Sequence, residues 1–436
     1  MKATAIARLL SLLALFVCFT TRAQAQVLSW QSVVSLAGTA GNGTVSATCM
    51  ATDAAGTVYV GGRFSGTVRI GTVELTSAGG SDMYVGRWNG SAFDWVQQAG
   101  GPDNEELRAL AVGPQGVYAA GYFSSAAATF GATTITGAGS LDAFVAKITQ
   151  SGSAASFTWA RSLGGAGLDV VEGLAVAGST VYLTGSFSGS LAYGPRTYVS
   201  AGGSDIFLAA LTDQGSTSTP AWFTGLGAAG SDAGRGVAAS GTSVYLTGWF
   251  EGTMVVGTTV LSSTGSTDVF VSKFTDLGTA PQPIWTRQAG GSQGQALTNT
   301  IAVEGSSVYV AGGVAGTAAF GPLSLTSAGL GDAFVAKLTD AGTSADFIWA
   351  QRLGGAGNDV AFAIAARLGA VYLAGQFEET AAGLGATVLT SAGRSDIFAA
   401  RLTDTGPAAT VAWVQQAGGP GFDQAVGILP TVAGTV

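Results

Sequence analysis

The sequence GLAVAGSTVYLTGSF, from Gly173 to Phe187, decides the fold class of this chain. Its first part, GLAVA, is a short apolar run, Gly178-Ser179 is a turn signal, and VYLTGSF is rich in β-branched and aromatic residues. Two such runs joined by a short turn predict a β-hairpin. Two more strand-like runs follow, DIFLAALT from Asp205 and AWFT from Ala221. The stretch therefore predicts four short strands, which we call A, B, C and D in chain order.

This four-strand pattern repeats along the chain with a period of about 64 residues. A tryptophan marks each predicted D strand, at Trp30, Trp95, Trp159, Trp222, Trp285, Trp349 and Trp413. A Val-Tyr pair begins each predicted B strand, at Val58, Val117, Val181, Val244, Val308 and Val371. A glycine closes each of these strands, at Gly62, Gly121, Gly185, Gly248, Gly312 and Gly375. Units of this length stack into propellers or solenoids rather than single-core domains.

The predicted C strands are apolar on both faces. In DAFVAKI, which begins at Asp142, Phe144 and Ile148 point to one face and Val145 to the other. A sheet with one face in water would alternate apolar and polar residues, so these sheets are expected to lie between two neighbours. The chain after residue 25 shows no helical periodicity over three turns. We therefore predict an all-β fold, a β-propeller of four-stranded blades with six complete blades and an incomplete seventh.

The stretch from Gly164 to Phe187, GGAGLDVVEGLAVAGSTVYLTGSF, resembles the SBBP-type β-propeller repeat. That repeat has a Gly-Gly-x-Gly-x-Asp start, an Ile-Ala-Val-like strand, a glycine turn and a Val-Tyr-Val-Thr-Gly strand. GGAGNDVAFAIAARLGAVYLAGQF, from Gly354 to Phe377, is similar, whereas the fifth copy has Ser292-Gln293-Gly294-Gln295 in place of the aspartate. The resemblance covers nearly all of the chain after residue 25. It implies a β-propeller in a secreted or surface protein of bacteria, and it implies no particular activity.

The first 25 residues predict a secretory signal peptide. Lys2 and Arg8 form a basic start, and the segment Leu9–Phe19 is apolar but too short to span a bilayer. Ala23-Gln24-Ala25 offers a cleavage pattern of small residues, so cleavage is expected after Ala25. Residues 26–436 then form the β-propeller repeat domain, which is expected to be secreted or held at the cell surface.

Each end of the chain also leaves an alternative open. Cys18 invites lipidation, but the preceding Leu15-Phe16-Val17 lacks the small residue that normally stands before a lipidated cysteine. Aligned with the sixth copy, Val436 falls on Val371, the first residue of strand B. We therefore expect a chain truncated within its seventh unit, whose D strand is supplied by the N-terminal segment at Trp30.

The composition excludes several classes of partner. Charged residues make up 10% of the chain, the net charge is −8 and the pI is near 4.5. There is no basic patch to meet phosphate, so we expect no nucleic-acid partner, and no further apolar run is long enough for a membrane span. Cys49 is the only cysteine after residue 25, which excludes a disulfide framework. It aligns with small residues in the other copies and predicts a small buried site rather than a reactive thiol.

Two columns of aspartates lie beside Gly/Ser loops. The first precedes strand C, at Asp82, Asp142, Asp205, Asp268, Asp332 and Asp396. The second precedes strand A, at Asp103, Asp169, Asp232, Asp359 and Asp423. Carboxylates in such loops can ligate calcium, but each position offers one carboxylate where calcium takes about six to eight oxygens. Because Asp also accepts backbone N–H bonds in Asx turns, we expect capping and no metal.

Three further sets of residues are candidates for packing or binding. A basic column in strand C comprises Arg87, Lys147, Lys273, Lys337 and Arg401, with Ala210 in the third copy. It is expected to snorkel at an edge or to pair with an acidic neighbour, with a binding role as the alternative. The periodic tryptophans and tyrosines are expected to be packing anchors between blades. The aromatics outside the period are better candidates for glycan or protein contact, and they are Trp88, Tyr122, Tyr193, Tyr198 and Trp249.

Catalysis is not expected, and neither are catalytic residues or a cofactor. The chain has no histidine, which removes the commonest general base and every Ser-His-Asp arrangement. Glu105-Glu106 and Glu378-Glu379 are the only adjacent acidic pairs, and neighbouring residues on a strand point to opposite faces. We predict a monomeric, non-catalytic extracellular or cell-surface scaffold that binds a protein or a glycan. The alternatives are an enzyme that acts on extracellular polysaccharide and a purely structural spacer for a missing C-terminal module.

Overall fold

The structure, a computed structural model, describes residues 42–291, 295–384 and 387–430. The chain divides into two units, Met1–Val34 and Ser35–Val436, and all described residues belong to the second. The predicted signal peptide, the predicted strand at Trp30 and the end of the chain from residue 431 lie outside the described residues.

Every element among the described residues is a β-strand, and the strands form six main sheets. Sheet 1 comprises β1 (Thr44–Thr52), β2 (Val58–Ile70), β3 (Val73–Trp88) and β4 (Phe93–Ala99). The second repeat comprises β5 (Glu105–Gly113), β6 (Gly116–Phe123), β7 (Ala127–Phe130), β8 (Thr133–Thr136), β9 (Asp142–Ser151) and β10 (Ala154–Leu163). The third comprises β11 (Asp169–Ala177), β12 (Thr180–Phe187), β13 (Ser190–Tyr193), β14 (Arg196–Val199), β15 (Asp205–Asp213) and β16 (Ser218–Leu226). The fourth comprises β17 (Ala233–Ser240), β18 (Ser243–Phe250), β19 (Thr253–Val256), β20 (Thr259–Ser262), β21 (Asp268–Asp276) and β22 (Pro281–Gly290). The fifth comprises β23 (Gln295–Glu304), β24 (Ser307–Ala315), β25 (Thr317–Phe320), β26 (Leu323–Thr326), β27 (Asp332–Asp340) and β28 (Ala345–Leu353). The sixth comprises β29 (Val360–Arg367), β30 (Ala370–Phe377), β31 (Thr380–Leu384), β32 (Thr387–Thr390), β33 (Asp396–Asp404) and β34 (Ala409–Ala417).

In each repeat the strands predicted as A, B, C and D form one antiparallel sheet in chain order. The all-β prediction and the four-strand unit are therefore confirmed. The link between B and C, where the sequence shows only a small apolar element, is an outer two-stranded hairpin. In sheet 1 this hairpin is continuous with β2 and β3. The hairpin β25–β26 also joins the edge of sheet 4, where Ala289 pairs with Phe320.

The sheets pack face to face in chain order. The A strand of each sheet contacts the A strand of the next, from β1 to β5 and onward to β29. The C strands of sheets 2 to 5 are buried on both faces, and all seven residues from Asp142 to Ile148 are buried. Apolar side chains from neighbouring sheets form shared clusters, such as the one that joins Ala109 of sheet 2 to Leu174 of sheet 3. The prediction that a sheet lies between two neighbours is confirmed for sheets 2 to 5.

The periodic glycine of strand B is required by a close approach of strand A. An ideal Cβ on Gly185 would lie 1.8 Å from the carbonyl oxygen of Val170 in β11. At the other five glycines of the column the same distance is 1.9 to 2.1 Å. No side chain fits at such a distance, so glycine is needed for space at these positions rather than for a turn.

A hydrogen-bonded aspartate joins each of sheets 3 to 6 to the sheet before it, whereas Gln150 of sheet 2 accepts from Trp95 of sheet 1. Asp213, at the end of β15, accepts hydrogen bonds from Tyr118 (2.5 Å), Lys147 (2.6 Å) and Trp159 (3.1 Å) of sheet 2. Asp340 and Asp404 receive the same three bonds from the sheets before them. We call each such group an inter-sheet staple. The sequence analysis did not single out these aspartates, although Thr-Asp-x-Gly recurs at all of them.

The staples decide the role of the basic column and of the periodic aromatics. Lys147 is 1% exposed, so the expectation of a snorkelling side chain is wrong there and the alternative of an acidic partner is confirmed. Sheet 3 has Ala210 in place of the lysine. Of the three side-chain donors of a staple, Asp276 of sheet 4 therefore receives two, Tyr182 and Trp222. Arg87 instead pairs with Asp94 of its own sheet. The periodic tryptophans and tyrosines among the described residues are confirmed as packing anchors, and most of them also donate a hydrogen bond to the next sheet.

Candidate ligand-binding cavity

Each A strand carries a β-bulge at the same position. The pairing register between strands A and B shifts by one residue in all six sheets. The extra residues at the shifts, which we call the bulge column, are Thr48, Arg108, Glu172, Arg235, Asn299 and Phe362. The periodic glycine of strand B lies beside this bulge, which explains the close approach of the two backbones. Bulges re-aim side chains and occur often at functional sites.

The six A strands converge on one cavity of about 530 Å³. The bulge column lines it, together with Val426 from the segment after β34. The residues after the bulges are small and form a second layer, comprising Cys49, Ala109, Gly173, Gly236, Thr300, Ala363 and Gly427. The next residues are apolar and form a third layer, comprising Met50, Leu110, Leu174, Val237, Ile301, Ile364 and Ile428. The cavity is therefore lined by one layer of varied, mostly polar side chains and two layers of small or apolar ones.

One side of the bulge column carries a chain of charges across four sheets. Arg235 lies 3.2 Å from Glu172, and Glu172 lies 4.0 Å from Arg108. Glu106 lies 3.3 Å from Arg108 and 2.8 Å from Arg63. We call these five residues the charged cluster. Three arginines and two glutamates give it a charge of +1 (3 − 2), although the whole chain carries −8.

Electrostatics hold the central arginine of this cluster in its charged form. Burial of Arg108 opposes its charge, but the carboxylates of Glu172 and Glu106 outweigh burial and raise the pKa of Arg108. Its guanidinium lies 5.6 Å from the ring centroid of Tyr122, and the Tyr122 hydroxyl donates to Glu106 at 2.9 Å. Nε of Arg235 is buried and has no hydrogen-bond partner among the described residues. The cluster therefore places the charged guanidinium of Arg108 on the cavity wall.

The other side of the bulge column is neutral. Asn299 donates to the carbonyl oxygen of Ala361 in the next sheet at 3.0 Å, and Thr48 donates to the carbonyl oxygen of Leu107. Phe362 adds an aromatic ring to the same wall. Bulge residues of both kinds thus reach towards a neighbouring sheet, but only those of sheets 2 to 4 carry charge.

The aromatics outside the period divide into two groups. Tyr193 is 5% exposed, and Tyr198 stacks on Phe223 with ring centroids 4.0 Å apart. Both belong to the packing of the outer hairpin, so their selection as binding candidates was wrong. Trp88 packs edge-on against Phe93 within sheet 1.

Tyr122 and Trp249 remain binding candidates. They occupy equivalent positions on strands β6 and β18, next to the periodic glycine. Tyr122 contacts the charged cluster, and Nε1 of Trp249 has no partner among the described residues.

The first aspartate column caps the loops before strand C, as predicted. Each carboxylate accepts the backbone N–H of the residue four positions earlier, at 2.8 to 3.2 Å. The second column does the same before strand A, with one correction. Asp103 is exposed, and Glu105 occupies its place by accepting the N–H of Gly101 at 2.7 Å. A two-residue offset in the loop concealed this exchange in the sequence.

The two acidic columns meet at the junctions between sheets. Asp169 of sheet 3 donates its backbone N–H to Leu141, the neighbour of Asp142 in sheet 2, at 3.0 Å. One oxygen of Asp142 and one of Asp169 are buried without a partner among the described residues. Burial raises the pKa of Asp169 to about 7, and the charge of Asp142 adds to the effect. A pKa near 7 leaves the Asp169 carboxyl partly protonated at neutral pH. The described residues contain no group of three or more His, Cys, Asp or Glu side chains placed to hold a metal.

Neither acidic pair proposed for catalysis forms a joint site. Glu105 is buried as a cap, whereas Glu106 pairs with Arg63. Glu379 is exposed and has a positive φ of 53°, and Glu378 accepts the N–H of Asn358 at 3.3 Å. Glu105 and Glu106 serve different neighbours, as predicted for adjacent residues on a strand, whereas Glu378 and Glu379 lie between β30 and β31.

Cys49 lies in the small-residue layer of the cavity wall and is buried. Burial raises the pKa of its thiol to about 12. The prediction of a small buried site is confirmed.

The sequence analysis missed the bulge column itself, although two signals were available. One is the glycine inside every B strand, because an isolated glycine in a strand indicates a bulge or a close backbone approach. The other is variability, since one position in strand A reads Thr, Arg, Glu, Arg, Asn and Phe while its neighbours repeat. A variable position within a regular repeat is where a repeat protein can place specificity.

Comparison with other proteins adds no assignment. No protein-family model matches the chain, and a search of curated proteins found no match. Among the described residues, no helix has the length and apolar character needed to cross a membrane.

Proposed function

We propose that this chain is a secreted, non-catalytic β-propeller of the SBBP type that binds an extracellular ligand in the cavity between its A strands. The observation that carries the proposal is the bulge column. Six sheets with the same strand order turn the same position towards one cavity, and of the three layers that line it only this one mixes cationic, anionic, neutral polar and aromatic side chains. In this proposal the sheets are blades and the innermost strand of each blade lines the central channel.

Secretion is supported by the sequence. A basic start, an apolar run and a small-residue cleavage pattern in residues 1–25 are typical of a signal peptide. A single cysteine after residue 25 and the low content of charge are compatible with an extracellular protein that relies on packing.

Binding without catalysis is favoured by the number and the contacts of the carboxylates around the cavity. Glu172 lies between two arginines, and Glu106 accepts from Tyr122 and Arg63. A glycosidase needs one carboxyl that stays protonated and a second that faces it across the bond to be cleaved. Glu172 is the single carboxylate among the described residues that line the cavity, so no second carboxyl faces it there.

A cavity-filling variant tests the proposal. Thr48→Phe places in sheet 1 the residue that Phe362 already provides in sheet 6, so the fold should tolerate it. Thr197→Phe, on the exposed face of the outer strand β14, adds the same side chain away from the cavity. Screening of both variants and the wild type on glycan and peptide arrays should show binding that Thr48→Phe abolishes and Thr197→Phe retains. Ligands that bind all three proteins equally would refute a cavity site.

A further inference from the structure

We propose that the cavity takes a carboxylated sugar unit, of the uronic-acid type, with its carboxylate on the arginines of the charged cluster. The inference rests on the proposed function, because it names the ligand class of the same cavity. Its basis is the juxtaposition of Arg108, Glu172 and Arg235 on one wall with neutral polar and aromatic side chains on the other.

The arginines select for a carboxylate. A guanidinium offers paired donors in a fixed fork that matches the two oxygens of a carboxylate. The charged cluster carries +1 before a ligand arrives, so one carboxylate would neutralise it. The side chain of Arg235 lines the cavity and is about one third exposed (33%), so part of its guanidinium is accessible to a ligand. The rest of the chain is acidic, which disfavours a densely charged polyanion such as a nucleic acid.

Glu172 selects for hydroxyl groups on the same ligand. It lies between the two arginines, so a ligand that offers only acceptors would meet a negative charge next to its binding donors. A hydroxyl both donates and accepts, and it can bridge a carboxylate and a guanidinium. A sugar acid carries a carboxylate and several hydroxyls on one ring, whereas the side chains of an acidic peptide carry the carboxylate alone. The wall therefore favours the sugar.

The remaining walls suit one face of a sugar ring. Phe362 lines the cavity, and Tyr122 stands beside Arg108. Thr48 and Asn299 supply neutral polar atoms on the side without charge. A few placed polar groups among apolar and aromatic ones are typical of small-molecule sites.

Isothermal titration of the full chain tests the inference. The probes are a disaccharide that ends in glucuronic acid, the same disaccharide ending in glucose, and a diglutamate peptide. The variants Arg235→Asn and Arg108→Thr use residues that the bulge column already contains, and Arg196→Asn on the outer strand β14 is the matched control. We expect the acidic disaccharide to bind most tightly, with affinity lower by about tenfold or more in each cavity variant and unchanged in the control.

Glu172→Gln separates a hydroxylated acid from a simple one. If a hydroxyl donates to Glu172, the variant weakens binding of the acidic disaccharide. If only a carboxylate is bound, removal of the negative charge strengthens binding, which would overturn the inference. Tighter binding of the peptide or of the neutral disaccharide than of the acidic disaccharide would also overturn the assignment of a sugar acid. If Thr48→Phe abolishes the binding of that other ligand, the cavity is still the binding site and only the ligand class is wrong. Array ligands that Thr48→Phe does not affect would refute the cavity function itself. Unchanged unfolding midpoints of the variants are the folding control.

Discussion

The inter-sheet staple at Asp213 makes a quantitative prediction about stability. The substitution Asp213→Asn keeps the size of the side chain but removes its charge. Lys147 is 1% exposed, and its remaining bond is to the carbonyl oxygen of Gly215 at 3.1 Å. Breaking a buried pair so that one charge is left without a partner costs about 3 to 5 kcal/mol. We expect Asp213→Asn to lower the free energy of unfolding by this amount.

The next staple along the chain is the matched control. Asp276 accepts from Tyr182 at 2.7 Å and from Trp222 at 2.7 Å, but Ala210 stands where the lysine would be. Asp276→Asn therefore leaves no buried ammonium, and it should cost only about 1 to 2 kcal/mol, as expected for weakened hydrogen bonds.

Urea unfolding followed by far-UV circular dichroism measures both values. The double variant Lys147→Ala/Asp213→Asn removes the stranded charge, so it should be more stable than Asp213→Asn alone. Equal losses for Asp213→Asn and Asp276→Asn, or a double variant no better than the single one, would refute this reasoning.

Three further outcomes follow from the packing. The pKa of Asp169 is about 7 in the folded protein and about 3.8 in the unfolded chain, so the folded protein holds the proton more tightly. The free energy of unfolding is therefore highest below pH 4, and it falls by up to about 4 kcal/mol as the pH rises to 7. Melting temperatures between pH 4.5 and 8 should fall less steeply in Asp169→Asn, and an identical slope would contradict a raised pKa for the Asp169 carboxyl. Cys49 should resist iodoacetamide at pH 8 without denaturant, and rapid labelling of the folded protein would contradict its burial. Gly185→Ala should lower stability by about 1 to 3 kcal/mol because its Cβ would meet the carbonyl of Val170, and a neutral effect in urea unfolding would contradict that close approach.

The repeat could be predicted from the sequence because each sheet uses the same residues for the same purpose. The tryptophan, the Val-Tyr pair and the glycine mark strands D and B, and all three fall on the expected strands. The loop aspartates could be recognised as caps because Asp before a strand binds backbone N–H groups locally. Such features depend on residues close together in the sequence, so the repeat pattern is enough to predict them.

Contacts between repeats could not be read in the same way. Asp213 pairs with Lys147, which is 66 positions earlier, and nothing local to either residue indicates the other. The bulge column belongs to the same class, since the glycine inside each B strand indicates a bulge but not which side chains meet in one cavity. The exchange of Asp103 for Glu105 shows that even a local role can shift when a loop changes length. Tyr193 was misjudged because its departure from the period reflects the packing of one hairpin and not a ligand.

Hydrogen exchange of the backbone amides decides whether the A strands form a ligand-binding cavity. Backbone amide exchange is measured by mass spectrometry with and without the array ligand that binds the wild type best. We predict that protection increases in β1, β5, β11, β17, β23 and β29 around the bulges, and that the outer hairpins β7–β8 and β13–β14 are unchanged. Protection confined to the outer hairpins, with no change in the A strands, would contradict a ligand site in the cavity.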